Sequence, residues 1–199
     1  MSSPTRWAGV PLSDRRTERR KLLVEAAFAL LGEGGTAAVT VRSVCRKAKL
    51  NSRYFYDSFP TIDDLLGAVY DHVVAELAET VTAASDEAGE ERDARTRAGI
   101  RAVLAFTSAD PRRGRVLFTE ARTHPVLAAR LTAIQAALYQ AAIEEDDRRF
   151  PDADPRSNMV GAALFTGAMT ELVVQWLAGA LGDDVDAITD FALERVLAF

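Results

Sequence analysis

Three helix-capping residues set the strictest limit on how this chain can fold. Thr40, Asn51 and Thr61 stand eleven and ten residues apart. Side chains of these types accept hydrogen bonds from the first-turn N–H groups of a helix, so each marks a start. A helix restarted that often must be short. The first short segment is VRSVCRKA, with Val41, Val44, Cys45 and Ala48 as its apolar side. The second runs from Ser52 to about Phe59, where Pro60 ends it. Lys49-Leu50-Asn51 joins the two, which is a helix-turn-helix pattern. Thr61 with Asp64 gives a capping-box start to a longer helix carrying Leu65, Leu66, Val69, Tyr70 and Val73 to roughly Ala84.

The same periodicity extends along the chain. Leu22, Leu23, Ala26, Ala27, Leu30 and Leu31 predict a helix from about Asp14 to Glu33, stopped by Gly34-Gly35. Beyond the acidic connector SDEAGEERD, helices are expected near 93–108, 111–121, 125–148, 156–181 and 184–198, punctuated by Asp110-Pro111, His124-Pro125 and Gly182. The expected fold is all-α, with about nine helices and no convincing strand. Residues 1–13 read as a flexible N-terminal arm carrying Trp7.

The stretch Met159 to Leu181 is long and apolar enough to raise a membrane reading. Glu171 and Gln175 near its middle would be costly in lipid, and its flank, Asp183-Asp184, is acidic. It reads instead as a helix buried in a bundle or at a subunit interface. A single cysteine, Cys45, excludes an internal disulfide framework and favours a reducing, intracellular compartment. The start of the chain has no apolar run long enough for a signal peptide.

Charge separates along the chain. Residues 1–60 hold 11 lysines and arginines against 5 acids, whereas the remainder holds 13 against 24, within a net charge of −5. A basic front on an acidic body suits a chain whose front meets a polyanion. Arg15, Arg16, Arg19 and Arg20 crowd the start of the first helix, the end the helix dipole disfavours for cations, so phosphate contact is one candidate for their role.

The short helix after Asn51 resolves by its wheel at about 100° per residue. Phe55 and Phe59 share one face, towards Val44, Cys45 and Ala48. Arg53, Asp57 and Tyr54 point the opposite way, and Tyr56 lies on the flank. Tyrosine hydroxyls donate to phosphate oxygens, and arginine pairs with guanine O6 and N7. Asp57 suits cytosine N4 or a brace for Arg53.

The segment TVRSVCRKAKLNSRYFYDSFPTIDDLL resembles the DNA-binding region of TetR-type (tetracycline-repressor-like) transcriptional regulators, over about Asp14 to Val74. The likeness rests on the first-helix pattern, the Gly-Gly turn, the T-V-R start, the Y-x-x-F-P exit and the following L-L. It implies a homodimer of helical subunits, with a DNA-binding domain over 14–74 (helix-turn-helix about 40–59) and an effector-binding and dimerisation domain over 75–199. By matching positions it implies a DNA-facing set of Arg42, Ser43, Ser52, Arg53, Tyr54, Tyr56 and Asp57, with Thr40 as a phosphate-contacting cap. Lys49 and Asn51 of the turn complete the candidate DNA contacts. Two residues depart from the pattern: Lys49 stands where glycine is usual, and Ile62 where a phosphate-binding lysine is common.

The implied function is a ligand-responsive repressor in the cytoplasm. It would bind a palindromic double-stranded DNA operator and be released by a small-molecule effector that moves the fourth helix. The helix at 156–181, rich in small residues, and that at 184–198 would form half of an intersubunit four-helix bundle. Phe106, Phe118, Tyr139, Phe165, Met169 and Trp176 either line a ligand cavity or belong to the plain core. Glu171 and Gln175 are either polar anchors in that cavity or residues of the dimer interface. No catalytic residue, metal site or cofactor is expected. Cys45 falls on an apolar helix side, His72 and His124 lack ligand spacing, and no glycine loop cradles phosphate.

Overall fold

The computed structural model describes the backbone of residues 6–7 and 10–197 and the side chains of 15–196. Of the expected arm, residues 1–5, 8 and 9 lie outside the described residues. Arg6–Trp7 pairs antiparallel with Val10–Pro11, and helix α1 follows over Leu12–Gly34.

After a 3-10 turn at Thr36–Ala38 come α2 (Val41–Ala48), α3 (Ser52–Tyr56) and the long α4 (Ile62–Glu87). The remaining helices are α5 (Arg92–Ala109), α6 (Pro111–Gly114), α7 (Pro125–Arg149), α8 (Pro155–Leu177) and α9 (Val185–Leu197). The fold is all-α in architecture, and the expected nine helices are found among the described residues.

Helix α1 begins at Leu12, inside the arm expected over 1–13, and α4 runs to Glu87, three residues further than expected; three other boundaries differ from the sequence reading. α3 stops at Tyr56 rather than Phe59, because the residue before Pro60 is steered out of the helical region. The Ser58 and Phe59 N–H groups both return to the Phe55 carbonyl, which tucks the Phe59 ring under the helix. α8 ends at Leu177, four residues early, and α9 follows a turn. The segment expected as one helix over 111–121 is divided instead. Four α-helical residues pass into a π-turn, Arg115–Thr119, and a 3-10 turn, Glu120–Arg122.

One core joins the front to the middle of the molecule. Leu23, Ala27 and Leu31 of α1, Val44, Phe55 and Phe59, and Leu65, Val69 and Val73 of α4 pack with Val116, Leu117 and Leu127. The front therefore shares its apolar interior with the π-turn and with the start of α7. A second, smaller cluster of Ile100, Leu104 and Trp176 ties α5 to α8 and α9.

α7 is keyed to α4 by Arg130, whose Nη1 donates to Asp71 Oδ1 at 3.0 Å. The guanidinium lies against Gly67, where a Cβ would come within 2.3 Å of it. Helices α7 and α8 are both long and apolar enough to cross a membrane by length and composition. The Arg130–Asp71 pair of α7 and Glu171 of α8 argue against lipid on those faces.

Candidate nucleic-acid interface

Each of the two short helices is fixed at its start by its own cap. The Ser43 N–H donates to Thr40 Oγ1 at 3.1 Å, and the Thr40 N–H donates to Ser43 Oγ at 2.9 Å, a reciprocal capping box. Asn51 Oδ1 accepts from the Tyr54 N–H at 3.2 Å.

Between them, Lys49 adopts φ 55°, ψ 37°, the sole positive-φ residue other than glycine among the described residues. Its N–H donates to Arg46 O, and the Leu50 N–H donates to Cys45 O. These two bonds are a Schellman termination with Lys49 at the left-handed position, where lysine costs about 1 kcal/mol against glycine. The turn geometry, and not only the charge of the side chain, thus distinguishes this residue.

Phe55 and Phe59 are buried against Val44 and the partly buried Ala48, as the wheel requires. Their rings lie 6.2 Å apart. Ser52, Arg53, Tyr56 and Asp57 are exposed, with Tyr56 at 60%, and Arg42 and Lys49 are exposed on the neighbouring surface. The side chains of Arg42, Arg46, Lys49 and Arg53 make no ion pair or side-chain hydrogen bond among the described residues. They are exposed cations on and beside α2 and α3 with no paired carboxylate among the described residues. Asp57 does not pair with Arg53. It stands with Ser58, Arg16 and Arg19 around a shallow surface depression.

Two sequence-predicted residues have more local duties than expected. Ser43 spends its hydroxyl inside the fold: besides capping, it donates to Ala38 O at 2.7 Å. Tyr54 is half-buried rather than free, because Arg19 of α1 lies 4.4 Å above its ring. A wheel drawn for α3 alone misses this, since α1 covers the side opposite the phenylalanines.

Arg20 acts similarly. Its guanidinium lies 4.1 Å over Phe59, and Nη1 donates to Ser58 O at 3.1 Å. The arginines that looked misplaced on the helix dipole thus include two that brace α3 and the residues after it. Each such contact is worth about 0.5–1 kcal/mol.

Burial raises the pKa of the Cys45 thiol, so this residue packs and is a poor nucleophile. No group of His, Cys, Asp and Glu suited to a metal ion occurs among the described residues.

The eight residues considered for a ligand cavity do not come together. Trp176 is buried, with Nε1 donating to Ser108 Oγ at 3.0 Å, and Phe106 is buried beneath the Arg113 guanidinium at 4.1 Å. Phe118 packs on the front core and Met169 on the second cluster. The Tyr139 hydroxyl donates to Met159 O, tying α7 to α8. Phe165, Glu171 and Gln175 are exposed on α8, and Gln175 Nε2 donates to Glu171 Oε1 at 2.6 Å. An open cleft of about 400 Å³ does exist, but it lies between α4, α5 and α6. Its walls are Glu76, Glu79, Thr80, Phe106, Ala109 and Arg113, so Phe106 alone of the eight borders it.

Comparison with known proteins agrees with this geometry. Residues 23–69 match the family model of bacterial regulatory proteins, tetR family. An HTH-type transcriptional repressor of Mycobacterium tuberculosis is 36% identical over 73 residues, a span covering 34% of this chain and 39% of that relative. Among solved structures, the fatty acid degradation regulator FadR from Bacillus halodurans aligns with a TM-score of 0.73 at 15% identity, covering 90% of this chain and 94% of that one. The multidrug binding protein EbrR, complexed with imidazole, aligns with a TM-score of 0.70 at 20% identity, covering 98% and 95%. At such identities the structural likeness establishes the fold. The sequence match is confined to the helix-turn-helix region, and the chain spans about two fifths of the length of the curated relatives it matches. The tetR-family match thus covers residues 23–69, the helix-turn-helix and its flanks, and the chain as a whole has the fold of the solved regulators it resembles.

Proposed function

We propose that the protein is a cytoplasmic transcriptional repressor that binds a palindromic DNA operator as a homodimer and is released by a small molecule. The observation that carries this reading is the α3 surface. Arg53, Tyr56 and Asp57 stand exposed on or just after a helix that is capped by Asn51 and anchored by the buried Phe55 and Phe59, beside Arg42, Arg46 and Lys49, which have no ion pair among the described residues. Arg53 reads a guanine edge, Tyr56 and the Thr40–Ser43 cap lie against phosphates, and Asn51, Ser52 and Tyr54 flank the contact. On this reading residues 14–74 are the DNA-binding domain and 75–199 the effector and dimerisation domain.

Dimerisation is supported by α8 and α9. Val160, Leu164 and Phe165 on α8 and Phe191 on α9 are 59%, 51%, 39% and 63% exposed, large apolar side chains of the kind a second copy covers. Glu171 and Gln175 lie on the same helix, exposed and paired with one another, which favours the interface over a cavity for both. Two α3 helices related by that dimer must enter successive major grooves about 34–36 Å apart.

The cleft between α4, α5 and α6 is the favoured effector site. A ligand there bears directly on α4, the helix that begins where the α3 segment ends.

An electrophoretic shift with the DNA upstream of the protein's own gene tests the reading. A shift at low salt that weakens steeply with added salt is expected. Folded protein that shifts no such DNA at low salt overturns it. For release, a ligand verified to bind must lower DNA affinity at least tenfold, a coupling of about 1.4 kcal/mol. Equal affinity with and without that ligand refutes the effector step.

A further inference from the structure

The C-terminal helices touch the start of the helix-turn-helix through one buried carboxylate. Glu120, only 8% exposed, stands where the π-turn after α6 tightens into a 3-10 turn. Its Oε1 accepts from Arg115 Nε at 3.0 Å, and its Oε2 accepts from the Thr36 N–H at 3.0 Å. Arg115 Nη1 donates to the Glu33 carbonyl at 3.0 Å, one of the last of α1. Gly35, at φ 71°, leaves the room: a Cβ there would lie 2.8 Å from Glu120 Oε1.

From Thr36 the connection continues without a gap. Thr36–Ala38 is a 3-10 turn, and Ala38 O accepts the Ser43 hydroxyl at 2.7 Å. Ser43 forms the capping box with Thr40 that starts α2, and α2 packs on α3. Hydrogen bonds, one short turn of backbone and the packing of α2 on α3 thus connect the π-turn to α3.

Burying the Glu120 carboxylate, with its Arg115 partner 39% exposed, costs desolvation energy that apolar packing would not, so stability alone is a poor reason for this arrangement. What the carboxylate supplies is position, since it fixes one backbone N–H. π-turns interrupt a helix at such functional points.

We propose that Glu120 is a positioning residue for DNA binding. It sets the start of α2, and hence the pose of α3, from the C-terminal domain, and the π-turn is a second route, besides α4, by which that domain alters DNA affinity. This rests on the DNA-binding reading above.

The test uses the full-length protein and a duplex that the native protein selects from random-sequence DNA. Glu120→Ala removes the acceptor. Thr36→Pro removes the matching N–H from the other side, at a first-turn position where proline fits and with the Arg115–Glu120 pair left in place. Each change is expected to weaken binding at least tenfold. The double variant should be no weaker than the worse single one, because both cut the same link. Glu120→Gln keeps an acceptor for Thr36 and should bind within about threefold of native. Amide exchange should rise over 36–43 and stay unchanged in α8.

Native-like binding by Thr36→Pro, or losses that simply multiply in the double variant, overturns the proposal. If Glu120→Ala does not fold, Thr36→Pro and Glu120→Gln decide alone. Failure of the native protein to select any duplex would defeat the DNA-binding reading itself and is seen before any variant is made.

Discussion

The α2–α3 pair and α8 are built on opposite plans. α2 and α3 have eight and five residues, too few to be stable alone, yet Val44, Phe55 and Phe59 are essentially inaccessible and both starts are capped. α8 has 23 residues and buries only Asn158, Ala162, Val173 and Trp176. Short elements here are defined by caps, anchors and braces from their own chain. The long one leaves Val160, Leu164 and Phe165 partly in water, where each forgoes roughly half of the about 1.5–3 kcal/mol that full burial gives. One region is complete within a single chain, and the other is where the proposed second copy would pack.

Phe55→Ala strikes the self-contained region hardest. Removing a fully buried ring should cost about 3–5 kcal/mol, read as a large drop in thermal midpoint with DNA binding lost. A loss below about 1 kcal/mol would mean that the caps, and not the phenylalanine anchors, hold α3. The opposite region is probed by Leu164→Asp with Phe191→Asp. Both side chains are exposed in one chain, so the helical circular dichroism should persist while sedimentation shows monomer at concentrations where the native protein is dimeric. A variant that remains dimeric would leave the α8–α9 face without its proposed partner and remove the contrast between the regions.

Within the front, Arg53→Ala should cost about 1–3 kcal/mol and relax base preference at one position in each half-site. Tyr56→Phe should weaken binding to all sequences alike and by less, since it removes a phosphate donor. Matching effects of the two changes on a panel of base-substituted duplexes would erase the division between reading and anchoring.

Legibility in the sequence follows the same division. Thr40, Asn51 and Thr61 act on residues three positions away, so their spacing alone places α2, α3 and α4. Phe55 and Phe59 were legible for a similar reason, because one helix wheel decides their side. Tyr54 was not, since its cover comes from Arg19, thirty-five residues earlier. Glu120 and Thr36 are eighty-four residues apart, and nothing local to either announces the bond. The cavity residues fared worst. Apolar and aromatic side chains on long helices look alike whether they face a core, a cleft or another subunit. Phe106, Trp176 and Phe165 ended in different surroundings.

Lys49 brings the two kinds of information together at one residue. Its left-handed backbone, closed by the Lys49 and Leu50 N–H bonds, is a property of the fold. Its exposed ammonium, without an ion pair among the described residues, is a property of the basic surface. Lys49→Gly separates them. Relief of the backbone strain should stabilise the protein by about 1 kcal/mol, raising the midpoint by roughly 2–4 °C for a chain of this size. Loss of the charge should lower DNA affinity and make the salt dependence shallower, by about one phosphate contact or 0.9 in the slope of log K against log salt. A stability gain with an unchanged salt slope would mean that the side chain never reaches phosphate. A shallower slope without any stability gain would mean that the turn holds lysine without strain. The expected result is that both change, because a residue that costs the fold energy at the edge of the recognition helix is retained most simply by what it does to DNA.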